Sequence, residues 1–155
     1  MQWQIYDSDF SRERIPALGN RFLIGNGYMG IRGTLEEFRK DQLVAVNLAG
    51  IFDKVGDGWR EPLNAPNGLY TVLEIDGKKY SLLEKEADFH RISLDFRHGI
   101  FSRETTWIGA KGKITVRSSR FVSRWERHLC CMRYEVETEF ACEALIFTGI
   151  DGDVW

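Results

Sequence analysis

The stretch Arg91-Ile-Ser-Leu-Asp-Phe-Arg97 sets apolar Ile92, Leu94 and Phe96 in alternation with polar Ser93 and Asp95. A period of two sends successive side chains to opposite faces, as a strand with one buried face requires. His98-Gly99 interrupts the run, and Ile100 to Ile108 resumes it with Thr and aromatic residues before Gly109-Ala-Lys-Gly112. That spacing predicts two antiparallel strands followed by a hairpin turn. Lys113 to Ser123 and Arg127 to Glu137 predict another pair, and Cys142 to Ile150 a further strand. Upstream, Leu43 to Phe52 and Leu69 to Ile75 are strand-like, with Asp76-Gly77 at the apex of a turn. Only Ser8 to Arg14 has helical character, with Ser8 or Asp9 as N-cap. Many short strands with regular turn signals predict an all-β, antiparallel β-sandwich. A closed barrel has the same local signals and stays open as the alternative.

The chain has 155 residues, a formal charge of -2 and 43% hydrophobic residues, among them five Trp, five Tyr and ten Phe. A chain of about 150 residues buries roughly 70% of its unfolded surface, so neither disulfides nor a metal is needed to hold its core. The three cysteines fit: Cys130 and Cys131 are adjacent, Cys142 stands apart, and no C-x-x-C spacing occurs. On a strand, Cys130 and Cys131 point to opposite faces and cannot share a site. His90, His98 and His128 have no ligand spacing and read as isolated surface or interface residues, so no metal is expected. The balanced charge argues against a nucleic-acid groove. No apolar run approaches the ~18 residues of a membrane span, and no basic segment followed by an apolar one opens the chain. The expected location is the cytoplasm, without nucleic-acid or membrane partners.

The densest local signal is Arg21-Phe-Leu-Ile-Gly-Asn-Gly-Tyr-Met-Gly-Ile-Arg-Gly-Thr34, with glycines at 25, 27, 30 and 33. Gly25-Asn26-Gly27 suits left-handed backbone conformations in a tight turn between strands at Phe22 to Ile24 and Tyr28 to Arg32. The spacing is neither G-x-G-x-x-G opening a helix nor G-x-x-x-x-G-K-[ST], which argues against a phosphate loop. The run Phe22 to Thr34 resembles the opening motif of glycoside hydrolase family 65, the maltose, trehalose, kojibiose and nigerose phosphorylases and some trehalose hydrolases. The resemblance continues in order through Asn47-Leu-Ala-Gly-Ile-Phe-Asp53, Leu63-Asn-Ala-Pro-Asn67, Arg91 to Gly99, Arg120-Phe-Val-Ser123 with His128-Leu129, and Gly149-Ile-Asp-Gly-Asp-Val154. The segments Arg39 to Gln42 and Val55 to Glu61 are shorter than the family pattern.

The resemblance implies a galactose-mutarotase-like supersandwich, of which residues 1–155 match the leading part. It also implies a following (α/α)6 barrel that holds the general acid and the phosphate site. The expectation is therefore a non-catalytic N-terminal domain that is inactive alone. Its parent would be an inverting phosphorylase or hydrolase of α-linked glucose disaccharides, with inorganic phosphate as co-substrate and no cofactor. Its own barrel, the disaccharide and a second copy of the chain are the implied partners. Rival readings are a free-standing carbohydrate-binding sandwich and a structural oligomerisation module.

Among the residues themselves, Asp7 with Asp9, Glu36 with Glu37 and Asp151 with Asp153 are the candidate acid pairs, and each reads as solvated at a turn or element end. Arg117, Arg120, Arg124 and Arg127 read as a charged strand face or an interdomain contact. Trp3, Trp59, Trp107 and Trp125 are core or sugar-stacking candidates, Trp59 first because it lies in a Gly-rich loop. The motif residues Gly25, Asn26, Gly27, Gly30, Arg32 and Gly33 are the interface candidates. Arg32 is expected to pair a barrel carboxylate, and Asn26 to fix the loop that borders the sugar pocket.

Overall fold

Alternating side chains and turn residues fold this chain into antiparallel sheets. A computed structural model describes residues 3–54 and 56–154. In chain order the elements are β1 (Gln4–Asp7), α1 (Ile15–Arg21), β2 (Ile24–Gly25), β3 (Met29–Ile31), β4 (Val46–Lys54) and β5 (Arg60–Asn64). They continue as β6 (Asn67–Ile75), β7 (Lys78–Tyr80), β8 (Phe89–Asp95), β9 (Ile100–Gly109), β10 (Gly112–Val122), β11 (Cys130–Thr138) and β12 (Ala144–Asp151). Three open sheets result: a five-stranded one in the order β1-β8-β9-β10-β11, a four-stranded one in the order β2-β3-β4-β5, and a three-stranded one in the order β12-β6-β7. Among the described residues every pairing is antiparallel and no sheet closes on itself, which separates sandwich from barrel.

The two hairpins predicted from glycine lie where expected. Gly109 pairs with Gly112 across the two-residue turn Ala110-Lys111. Asp76 and Gly77 both take positive φ, the type I′ geometry whose twist matches flanking strands. Inward residues of all three sheets meet in one core: Trp107, Phe101 and Val116 from the five-stranded sheet, Leu73 and Ile75 from β6, and Ile24, Ile31 and Val46 from the four-stranded sheet.

The helix is displaced from its predicted place. Ser8 to Arg14 yields only a 3-10 turn at Arg12–Arg14, and neither it nor α1 has a side-chain N-cap bond. The α-helix is the next segment, where Pro16 pre-sets φ at the first turn and Ile15, Leu18 and Phe22 at i, i+3 and i+7 face the core. Phe22, expected in a strand, therefore caps this helix. Two pieces of apolar surface remain open. The β4–β5 hairpin exposes Ile51, Phe52 and Leu63, and β12 exposes Leu145, Ile146 and Phe147, neighbours that point to opposite faces.

Candidate functional site

The glycine-rich turn is held by one side chain. Asn26 Oδ1 accepts hydrogen bonds from the Tyr28 and Met29 amides at 3.0 and 2.8 Å, and Nδ2 donates to the Ser123 and Arg127 carbonyls at 2.6 and 3.0 Å. These four bonds match its side chain's four acceptor and donor sites. Only Gly27 of the three turn residues has a left-handed φ, +88°, so Asn26 is not the left-handed residue expected. Its work is to tie the β2–β3 turn to the 123–129 loop, each bond contributing about 1 kcal/mol. That loop raises Trp125 into solvent, 98% exposed, and His128 packs edge-on against Tyr28 at 4.6 Å.

Arg32 Nη2 donates to the Pro16 carbonyl at 2.7 Å, its guanidinium lies against Gly19, and its buried Nε has no partner. Gly33 packs on Phe22, while Gly30 has open space where a side chain would go. Trp59 is 86% exposed just before β5, and Trp3 is half exposed. Trp107, by contrast, is sealed in the core with its ring edge-on to Tyr80.

Behind this surface lies a charged cluster whose two glutamates were expected in solvent. Glu36 is 1% exposed and Glu37 is also buried, in contact with buried Arg103 and Arg120. Arg103 donates to both carboxylates, with Nη2 to Glu37 Oε1 at 3.0 Å and Nη1 to Glu36 Oε2 at 3.1 Å. Glu36 Oε1 also accepts from Ser118 at 2.8 Å and from Arg120 at 3.2 Å. Arg120 further donates to the Thr34 carbonyl at 2.6 Å and stacks over Phe101 at 4.1 Å. The cluster joins the three sheets. The Glu36 carbonyl accepts from Thr71 of β6, its side chain binds β9 and β10, and its backbone follows β3. Arg120 therefore points inward, opposite to the exposed Arg117 that pairs with Glu104 and Glu137.

In each of the three candidate pairs one carboxylate is covered and paired with arginine. Burial opposes the Glu36 charge, but Arg103, Arg120 and Ser118 outweigh it and hold the carboxyl below its ordinary value. The Arg14 hydrogen bonds, at 2.8 and 2.9 Å, do the same for Asp7, and those of Arg39, at 2.9 and 3.1 Å, for Asp151. Asp7 and Asp151 are thus covered and paired, not solvated as expected, whereas Asp9 and Asp153 are exposed. A carboxyl held ionised in this way has no proton to give at neutral pH.

His90, expected at a surface, is buried and shares a 2.9 Å hydrogen bond with Thr105, which also accepts from Arg103. Burial, then the Arg103 charge, pushes the imidazole down to about 3. In the unfolded chain His titrates near 6.5, so the stability from a neutral His90 is full above that pH and falls as pH drops toward the folded value. Between pH 6 and 5 the slope should approach about 1.4 kcal/mol per pH unit. Urea unfolding from pH 7.5 to 5 checks this: His90→Gln should lose most of that slope, and an unchanged slope would refute the assignment. His98 and His128 are exposed. Among the described residues no three His, Cys, Asp or Glu side chains converge as metal ligands, the three cysteines are unpaired, and no helix is long and apolar enough to cross a membrane.

Residues 5–155 match the family model described as "Glycosyl hydrolase family 65, N-terminal domain". The chain is 54% identical over its whole length to a nigerose phosphorylase of Lachnoclostridium phytofermentans, of which it covers 21%. Over 99% of its length it is 36% identical to a 1,2-alpha-glucosylglycerol phosphorylase of Bacillus selenitireducens and to a kojibiose phosphorylase of Thermoanaerobacter brockii, covering 20% of each. It thus spans about a fifth of these curated relatives. A solved structure described as "Putative kojibiose phosphorylase from human microbiome" superposes with a TM-score of 0.83 at 18% identity, over 93% of this chain and 21% of that one, and so shares the fold. With the ordered motifs, the open antiparallel sheets and a family model spanning residues 5–155, the chain belongs to the N-terminal domain family of the family 65 glycosyl hydrolases.

Proposed function

We propose that this chain is the non-catalytic N-terminal domain of an inverting phosphorylase acting on α-linked glucose disaccharides. Inorganic phosphate is the co-substrate and no other cofactor takes part. The observation that carries this reading is the arginine pairing of Asp7, Glu36 and Asp151, which leaves none of these three carboxyls a proton to give to a glycosidic oxygen. The relatives support the activity class, since all three are phosphorylases and one is named for a 1,2-alpha-glucosyl compound.

In this reading the general acid and phosphate site belong to an (α/α)6 barrel outside residues 1–155. The Gly25 to Gly33 turn and the 123–129 loop held by Asn26 border that barrel. Arg32, which keeps an unpartnered Nε, pairs with it, and Trp59 offers a stacking face near the sugar. Copies of the protein associate through the apolar surface that β12 leaves open.

The test compares the 155-residue chain with the full-length protein on nigerose, kojibiose, maltose and trehalose, with and without phosphate. The expected result is phosphate-dependent release of β-glucose 1-phosphate by the full-length protein and none by the chain alone. Turnover by the chain alone would refute the non-catalytic reading. Phosphate-independent glucose release by the longer protein would replace phosphorolysis with hydrolysis.

A further inference from the structure

The outer face of the five-stranded sheet carries a built feature unrelated to the glycine-rich turn. Pairing register sets Tyr6, Ser93, Ser102, Ser119 and Arg133 opposite one another, one from each strand. Neighbouring strands lie about 4.8 Å apart, so the three serines form a floor about 10 Å long running across the sheet. The next outward row is Arg91, Glu104, Arg117 and Glu135, again in register, a ladder of alternating sign. Short side chains beside long ones make a trough, and a cavity of about 390 Å³ lies over it. That volume falls within the roughly 300–1,000 Å³ of small-molecule sites.

We propose that this trough binds a neutral sugar of disaccharide size. Charge decides the ligand class. The wall holds two arginines and two glutamates, and Arg117 is matched by Glu104 at 3.1 Å and by Glu137 at 2.7 Å. An anion gains little from such a wall, and a cation gains equally little. Hydrogen-bonding capacity then favours hydroxyls. Among the described residues the side-chain hydroxyls of Ser93, Ser102 and Ser119 have no partner, so each can both donate and accept. Carboxylates beside guanidinium groups present acceptors and donors together, which neighbouring sugar hydroxyls can satisfy in one contact.

Tyr6 closes one end of the trough with its ring half exposed. Arg91 lies 4.4 Å from the centre of that ring and holds it in place, so the aromatic contact comes at low ordering cost. Burial of the floor serines to an intermediate degree keeps them reachable from solvent while their strands fix their positions on both sides.

The experiment is an amide chemical-shift titration of the 155-residue chain with maltose, nigerose and kojibiose, with lactose and inorganic phosphate as further probes. Using glucosides rests on the proposed parent activity, whereas lactose does not. Saturable shifts at Tyr6, Ser93, Ser102 and Ser119 with any of these sugars are expected. Shifts there with lactose alone would uphold the trough while removing support for a glucoside as its occupant. Ser102→Leu fills the floor at its middle and should weaken binding at least tenfold with an unchanged urea midpoint. Tyr6→Ala, at the sheet edge, should weaken it several-fold and serves as the second variant. No sugar-induced shifts, shifts with phosphate only, shifts confined to Trp59 and Trp125, or undiminished binding by both variants would each overturn the proposal.

Discussion

Replacing Arg103 with Met should remove about 3–5 kcal/mol of folding free energy at pH 7, the usual cost of stranding a buried charge. Arg103 is the guanidinium that reaches both Glu36 and Glu37, and its own burial is offset by those two carboxylates, which raise its pKa above the ordinary value. Without it Arg120 still pairs with Glu36, but Glu37 keeps only the Leu82 amide, at 3.4 Å. Against a total of about 5–15 kcal/mol for a domain of this kind, the loss is large enough to populate unfolded chain. Glu37→Leu added to Arg103→Met leaves Glu36 and Arg120 in balance and should recover a third or more of the deficit, the coupling expected of contacting residues.

The pH response gives the sign an independent check. In the native protein Glu36 is held below its ordinary pKa, so its contribution is present above about 4.3 and lost as pH falls through the folded value. In Arg103→Met the stranded carboxylate gains by taking a proton, so the variant's deficit should shrink from pH 7 to pH 5. Urea unfolding followed by tryptophan fluorescence measures both effects. A deficit under about 1 kcal/mol that does not change with pH would show that the cluster is hydrated and contributes little.

Strands were legible in this sequence because their signal is local. Ile92 and Leu94 alternate with exposed or half-buried neighbours, and Asp76-Gly77 needs nothing beyond its own backbone to specify a turn. The charged cluster was misread because residue type was given more weight than phase. Arg103 is in phase with Phe101, Thr105 and Trp107, and Arg120 with Val116, Ser118 and Val122, all of which point inward. Period two therefore carries the information that both arginines are buried. Glu36 and Glu37 offered no such cue, since residues 33–38 form an irregular buried segment and the arginines that pair with these two carboxylates lie more than sixty positions away. The helix at Ile15–Arg21 contains Pro16 and Gly19, residue types that weaken a local helix signal, although a proline in the first turn and the close approach of Arg32 to Gly19 suit them there. Asn26 was expected to fix a loop bordering a sugar pocket; its Nδ2 bonds to Ser123, ninety-seven positions further on, a partner its sequence neighbours do not name.

Gly33→Ala should cost about 3 kcal/mol, while Gly30→Ala, three residues earlier in the same motif, should fall within about 0.5 kcal/mol of the native protein. The glycines look equivalent in sequence and differ in what surrounds them. A methyl group at Gly33 would lie 2.5 Å from Phe22 Cβ and 2.7 Å from the Phe22 carbonyl carbon and oxygen. Two of those three atoms are backbone, and the Gly33 amide already donates to the Gly19 carbonyl at 2.8 Å, so neither chain can withdraw without breaking a hydrogen bond. Phe22 is wholly buried, which carries the displacement into the core. Gly30 has no atom within 4 Å of a built Cβ, and alanine there restricts only the unfolded chain. Gly27, at a φ of +88°, should fall between them at about 1–2 kcal/mol, the strain of a left-handed residue with a side chain. Urea midpoints of the three alanine variants give the order. If Gly30→Ala proved the most damaging, the motif's glycines would have to be explained by a surface outside this chain. The predicted order, with Gly33 first, makes the close packing of α1 against the irregular segment that follows β3 their primary cause.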